Sequence, residues 1–244
     1  MLRNYRATLV ACLVSGLFVA SGIPAGAQEK LHFDIIITNL TPGQYISMPL
    51  VVTHKPGLAL FAIGDPITTE LATFVEEGNP SALGAVLAGI PLVREVMVSS
   101  ASPLLDTVIG PGRSATVTVE TSTDFDQVSV ISLLMPTNDA FVALTGVPGP
   151  AAMKAVTFFV PAYDAGSERN DELCISMRSP GIPECNGPGG NQRAGGGEGF
   201  VHVHNGVHGV GNLSASLRDW RNPVARIVIR RSEDGQSSPA GVGL

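Results

Sequence analysis

Cationic side chains are scarce in this chain: Lys and Arg number 15 against 21 Asp and Glu, for a net charge of -6. That balance disfavours binding to a phosphate backbone, which depends on clustered Lys and Arg. Arg226, Arg230 and Arg231 do gather near one strand end, where they are read as a solvated edge and not as a nucleic-acid site. Cysteine is also rare, with three in the chain. Long apolar runs are missing except at residues 9–20, and that run is shorter than the about 20 residues of a membrane span. No Gly-x-Ser-x-Gly nucleophile elbow and no Gly-x-x-x-x-Gly-Lys phosphate loop occurs. The expected class is therefore a binding protein and not an enzyme, with a hydrolase built on dispersed residues as the third reading. No repeat of fixed period is found.

The chain opens like an export signal. Arg3 and Arg6 precede the apolar run, and Ala25-Gly26-Ala27 is a small-x-small cleavage site. Cleavage after Ala27 is expected, giving a secreted or periplasmic protein that starts at Gln28. The competing lipid-attachment reading, Leu9-Val10-Ala11-Cys12, places its cysteine before most of the apolar run instead of after it. Loss of the signal removes two positive charges and moves the net charge to about -8. The remaining cysteines, Cys174 and Cys185, form an even pair that predicts a disulfide in an exported protein. Residues 233–244 are polar, rich in Gly and Ser, and predicted to be disordered.

Between these ends the pattern is of short strands punctuated by turns. Segment 31–39, LHFDIIITN, is β-branched and apolar, and Thr41-Pro42-Gly43 ends it in a turn. Further strands are expected at 48–53, 92–99, 114–121, 127–134, 141–144, 156–160 and 224–231. The 114–121 stretch alternates Ala115, Val117 and Val119 with polar residues, as a half-buried strand does. Two short helices, 68–77 and 81–88, fall in one connection; Leu71, Phe74 and Val75 have helical spacing. Residues 181–211 hold 11 of the 28 glycines and predict a long loop with little extended structure. The expected fold is an all-β, antiparallel β-sandwich over residues 28–232, with one or two short helices in a connection.

Four motifs carry a family resemblance. They are Thr38-Asn39-Leu40-Thr41-x-Gly43-Gln44, Pro136-Thr137-Asn138-Asp139-Ala140-Phe141-Val142, Tyr163-Asp164-Ala165-Gly166-Ser167-Glu168 and Asn222-Pro223-Val224-Ala225-Arg226-Ile227. In this order and spacing they resemble the spondin amino-terminal domain, over residues 31–231. The resemblance implies a C2-like sandwich, an extracellular role in adhesion or matrix contact, and calcium held by loop carboxylates. The calcium ligands would fall on Asp139, Asp164 and Glu168. The chain departs from the family at Ala140, where an aromatic is usual, and at Glu168, where aspartate is usual. Thrombospondin-type repeats, which follow this domain in animal spondins, are absent.

Calcium takes six to eight oxygen ligands, so three carboxylates would supply part of the shell. Without a cation their charges would repel. A second metal reading rests on His202, His204 and His208. On a strand, His202 and His204 share a face, and zinc or copper suits imidazole donors. The plain alternative for these rings is ordinary hydrogen bonding in a glycine-rich loop. The preferred expectation is an exported, calcium-stabilised sandwich that binds an extracellular macromolecule or glycan; the alternative is a transition-metal binding protein. Asn39-Leu40-Thr41 and Asn212-Leu213-Ser214 are glycosylation sequons.

Overall fold

The computed structural model describes residues 31–98, 108–185, 189–190 and 192–232. The expected signal, Cys12 and the polar tail lie outside the described residues.

The first strand shows why the sheet forms. In β1 (Leu31–Asn39), Phe33, Ile35 and Ile37 turn into the core. Asp34, on the opposite face, is met by its cross-strand neighbours: Arg230 pairs with it at 3.0 Å and Thr118 donates to it at 2.7 Å. β1 lies between β6 (Ser114–Thr121) and β12 (Ala225–Ser232), and β12 pairs with β9 (Ala155–Val160). All three pairings are antiparallel, with Ile35 opposite Val117 and Ile229.

The second sheet is built on β7 (Gln127–Met135) and β8 (Ala140–Pro148). One side of β8 carries β10 (Ala162–Asp164), which pairs with β11 (His202–Val203). On the far side of β7 lie β3 (Leu50–His54) and then β2 (Tyr45–Ser47), along successive stretches of the same strand. β4 (Val93–Val98) joins β3, and β5 (Val108–Ile109) joins β2. The strand expected at 48–53 is β3, which starts after Pro49, a residue that offers no N–H to a ladder, and β2 precedes it as a separate short strand.

The connection from β3 to β4 contains α1 (Thr69–Glu77) and α2 (Ser81–Ala88). Thr68 caps α1 by accepting from the Leu71 amide at 3.3 Å, and Gly78 ends it with φ 68°. Leu71, Phe74, Val75, Leu83 and Leu87 pack with Leu50, Val52, Ile131 and Phe141. A separate core joins the two sheets through Ile35, Ile37, Val130, Val142, Ile227 and Ile229. β7 and the first half of β8 are therefore covered on both faces, which explains their near-continuous apolar sequence. A short α3 (Ala215–Arg218) precedes β12. Among the described residues no helix is long and apolar enough to cross a membrane.

Two loops are pinned by specific bonds. Asn39 is fully buried, and its amide donates to the Gln44 and Ile109 carbonyls, both at 2.8 Å. The turn after β1 thus serves as a polar plug that closes the sandwich end. Cys174 and Cys185 form the expected disulfide. Arg218 clamps the same loop through a bidentate pair with Glu184 at 2.8 and 2.9 Å.

Candidate metal centre

Strand pairing assembles the site from distant parts of the chain. β8 begins one residue after Asp139, and Asp164 lies opposite Ala140 across the β8–β10 ladder. On its other side Asp164 lies opposite His202. Asp139, Asp164 and His202 therefore come to the same end of neighbouring strands.

The loops beyond these strands meet backbone to backbone. The Gly199 amide donates to the Gly166 carbonyl at 2.8 Å, and Glu168 bridges Gly196. Gly166 has φ 66°, and a Cβ there would stand 2.3 Å from the Phe200 carbonyl oxygen. At Gly197 a Cβ would stand 2.4 Å from the Gly166 carbonyl oxygen. Part of the glycine richness near residue 197 thus serves close contact, because only glycine admits such an approach.

Asp139 is buried, and one carboxylate oxygen, Oδ2, accepts from the Ser167 amide (2.8 Å), the Ser167 hydroxyl (3.1 Å) and the Glu168 amide (2.9 Å). Its Oδ1 has no hydrogen-bond partner. Burial, and then the charge of Asp164, push the Asp139 carboxyl up to about 7 despite those bonds. Asp164 is tied by the Gly166 amide on Oδ1 (2.8 Å) and by Asn170 on Oδ2 (2.7 Å). Glu168 meets Asp139 through its amide, while its carboxylate turns to the Ala194 amide at 3.2 Å. Its Oε2 is buried without a partner. Burial and the charge of Glu76 push Glu168 up to about 7. Glu76, on α1, pairs with Arg193 at 2.9 Å.

The three histidines have three different roles. His204 is buried; its Nδ1 accepts from the Gly206 amide at 3.0 Å, and its Nε2 donates to Asn170 Oδ1 at 3.2 Å. Both ring nitrogens are used, so no lone pair remains for a metal. Burial pushes this ring down to about 4, against the opposing charge of Asp164. His208 is exposed, and its amide donates to Glu172 at 2.6 Å.

His202 is arranged differently. Its Nδ1 donates to the Val203 carbonyl at 3.0 Å, which leaves the lone pair on Nε2. That Nε2 is buried, has no hydrogen-bond partner, and lies 3.7 Å from both Asp164 Oδ1 and Glu198 Oε2. The donor atoms of Asp164, Glu198 and His202 all lie within 4.8 Å of one another. Metal-binding histidines characteristically donate one ring N–H to a carbonyl or carboxylate and present the other nitrogen to the ion. With bonds of about 2.1 Å, donors 3.7 Å apart subtend about 120° at an ion. A proton is the rival occupant: burial opposes it, but the Val203 carbonyl and the charges of Asp164 and Glu198 outweigh burial and raise the ring's pKa.

No family model and no curated protein matches this chain. The metal-binding reading therefore rests on geometry. Sequence reasoning placed His202 and His204 on one face, and their Nε2 atoms do reach the two oxygens of Asp164, each at 3.7 Å. It missed Glu198. The one signal for that residue was an acid four positions before His202 in a run otherwise made of glycine.

Proposed function

We propose that this protein is an exported β-sandwich binding domain in which a divalent metal clamps two loops through Asp164, Glu198 and His202. The observation that carries this reading is the buried His202 Nε2, unpartnered and facing two carboxylates at 3.7 Å. One imidazole and two carboxylates suit zinc or manganese better than calcium. The ion would join Asp164 on β10 to the glycine-rich segment, which has little apolar surface of its own to hold it. The likeness to spondin amino-terminal domains supports an adhesion or matrix role for such a domain.

Calorimetric titration of the metal-stripped protein with zinc, manganese and calcium tests the centre. Stoichiometric binding is expected, weakened at least tenfold in both His202→Ala and Glu198→Gln. Equal affinity in His202→Ala removes the assignment.

A second reading, calcium at Asp139 and Glu168, is favoured by a different observation. Asp139 Oδ1 and Glu168 Oε2 are both buried without partners. Buried carboxylates in that state call for a cation or a proton. Calcium binding that survives His202→Ala and is lost in Asp139→Asn would support this reading over the first.

A further inference from the structure

β11 leads from the metal centre directly into a second feature. Beyond His202 the chain forms one wall of an open cleft of about 390 Å³, and residues 219–222 form the other. This volume lies within the about 300–1,000 Å³ usual for small-molecule sites. We propose that this cleft binds an uncharged saccharide, and that the metal at His202 holds its β11 wall in place.

The lining decides the ligand class. Asp219 Oδ2 accepts from Arg221 at 2.5 Å, so the one anion and one cation of the cleft neutralise each other. Asp219 is further occupied by the Val207 amide at 3.2 Å. An anionic ligand therefore finds no uncompensated positive charge. The other polar side chains of the lining are two carboxamides and two imidazoles. The Asn205 carboxamide and the His208 ring make no hydrogen bond among the described residues and face solvent. Asn222 uses its Oδ1 to accept from the Ala162 amide at 2.9 Å, which leaves its N–H donors. Together these groups both donate and accept, as sugar hydroxyls do in return. Trp220, buried in the core against His204 with ring centroids 5.0 Å apart, contributes a small apolar patch to the cleft floor.

The coupling to the metal, though not the sugar site itself, rests on the function proposed above. His202 and Asn205 are three residues apart on one extended segment. Fixing His202 to an ion removes freedom that the ligand would otherwise have to remove on binding.

The test is saturation-transfer NMR with titration, using the whole protein in zinc-loaded and chelator-stripped forms. The probes are glucose, mannose, galactose and N-acetylglucosamine trisaccharides, with inorganic sulfate as the anion control. At least one trisaccharide is expected to receive transfer and to bind at millimolar Kd or tighter. Asn205→Ala and His208→Ala should each weaken it fivefold or more without moving the melting temperature, since neither side chain makes a hydrogen bond among the described residues. No transfer to any trisaccharide from zinc-loaded protein overturns the proposal. So does binding unchanged in both variants, or sulfate binding in the cleft where sugars do not. Sugar binding identical in stripped protein and in His202→Ala keeps the saccharide site and overturns the coupling alone. Failed zinc binding with intact sugar binding separates the loss of the metal reading from the loss of this one.

Discussion

Removal of cations should give this protein an unusual pH profile: it should become more stable on mild acidification. Asp139 and Glu168 both sit at about 7, against ordinary values of 3.8 and 4.5. Both hold a proton more tightly folded than unfolded. Their contribution is complete below the unfolded values and is lost as pH rises through about 7. Lowering pH from 8 to 6 should return about 1.4 kcal/mol for each carboxyl, or about 3 kcal/mol together. His204 opposes this. Its folded value of about 4 lies below the ordinary 6.5, so its contribution is present above 6.5 and declines as pH falls toward 4. At pH 6 that loss is about 1 kcal/mol, leaving a gain of about 2 kcal/mol from these three groups, while His54, lowered by burial, and His202, raised, act in opposite directions. Urea denaturation in chelator at pH 8, 7 and 6 measures this directly. Calcium bound as in the second reading should flatten the profile, because the ion then replaces the proton as the partner of Asp139 and Glu168. Chelator-treated protein that is most stable at pH 8 and weakens steadily on acidification would refute the reasoning.

Two smaller perturbations probe the same region. Gly166→Ala adds a Cβ at φ 66° within 2.3 Å of the Phe200 carbonyl oxygen; thermal melts should show a loss of about 2 kcal/mol or more, combining strain with steric displacement. Reduction of Cys174–Cys185 opens a short loop and should cost about 2–3 kcal/mol in denaturant titration, with the residual structure held by the Arg218–Glu184 pair.

The sequence made the long strands legible because burial on one face writes a period of two. β6 shows this at Val117 and Val119, and β12 at Ile227 and Ile229. The two helices were legible for the corresponding reason, with Leu71, Phe74 and Val75 turned toward the sheet. Very short strands were not. β10 and β11 span three and two residues, too few for any period, yet they position Asp164 and His202. The carboxylates Asp139 and Asp164 were found through motif likeness, while Glu198 had no likeness to reveal it. What separated His202 from His204 was the second ring nitrogen. One donates to a carbonyl and frees its partner, whereas the other ring has both nitrogens engaged. Such bonding depends on tertiary placement and leaves no trace in spacing.

The pairing of β1 with β12 has a practical consequence for how this molecule is attached to anything else. His32 lies opposite Ser232, so the described chain enters and leaves the sandwich side by side. At the other end of that ladder, Asn39 lies opposite Ala225, and Ala225 lies opposite Val160, which leads into β10 and Asp164. A tether, label or fused partner joined before Leu31 or after Ser232 would leave from the end remote from Asp164 and His202. Immobilisation by either terminus should present those loops outward, in the same orientation.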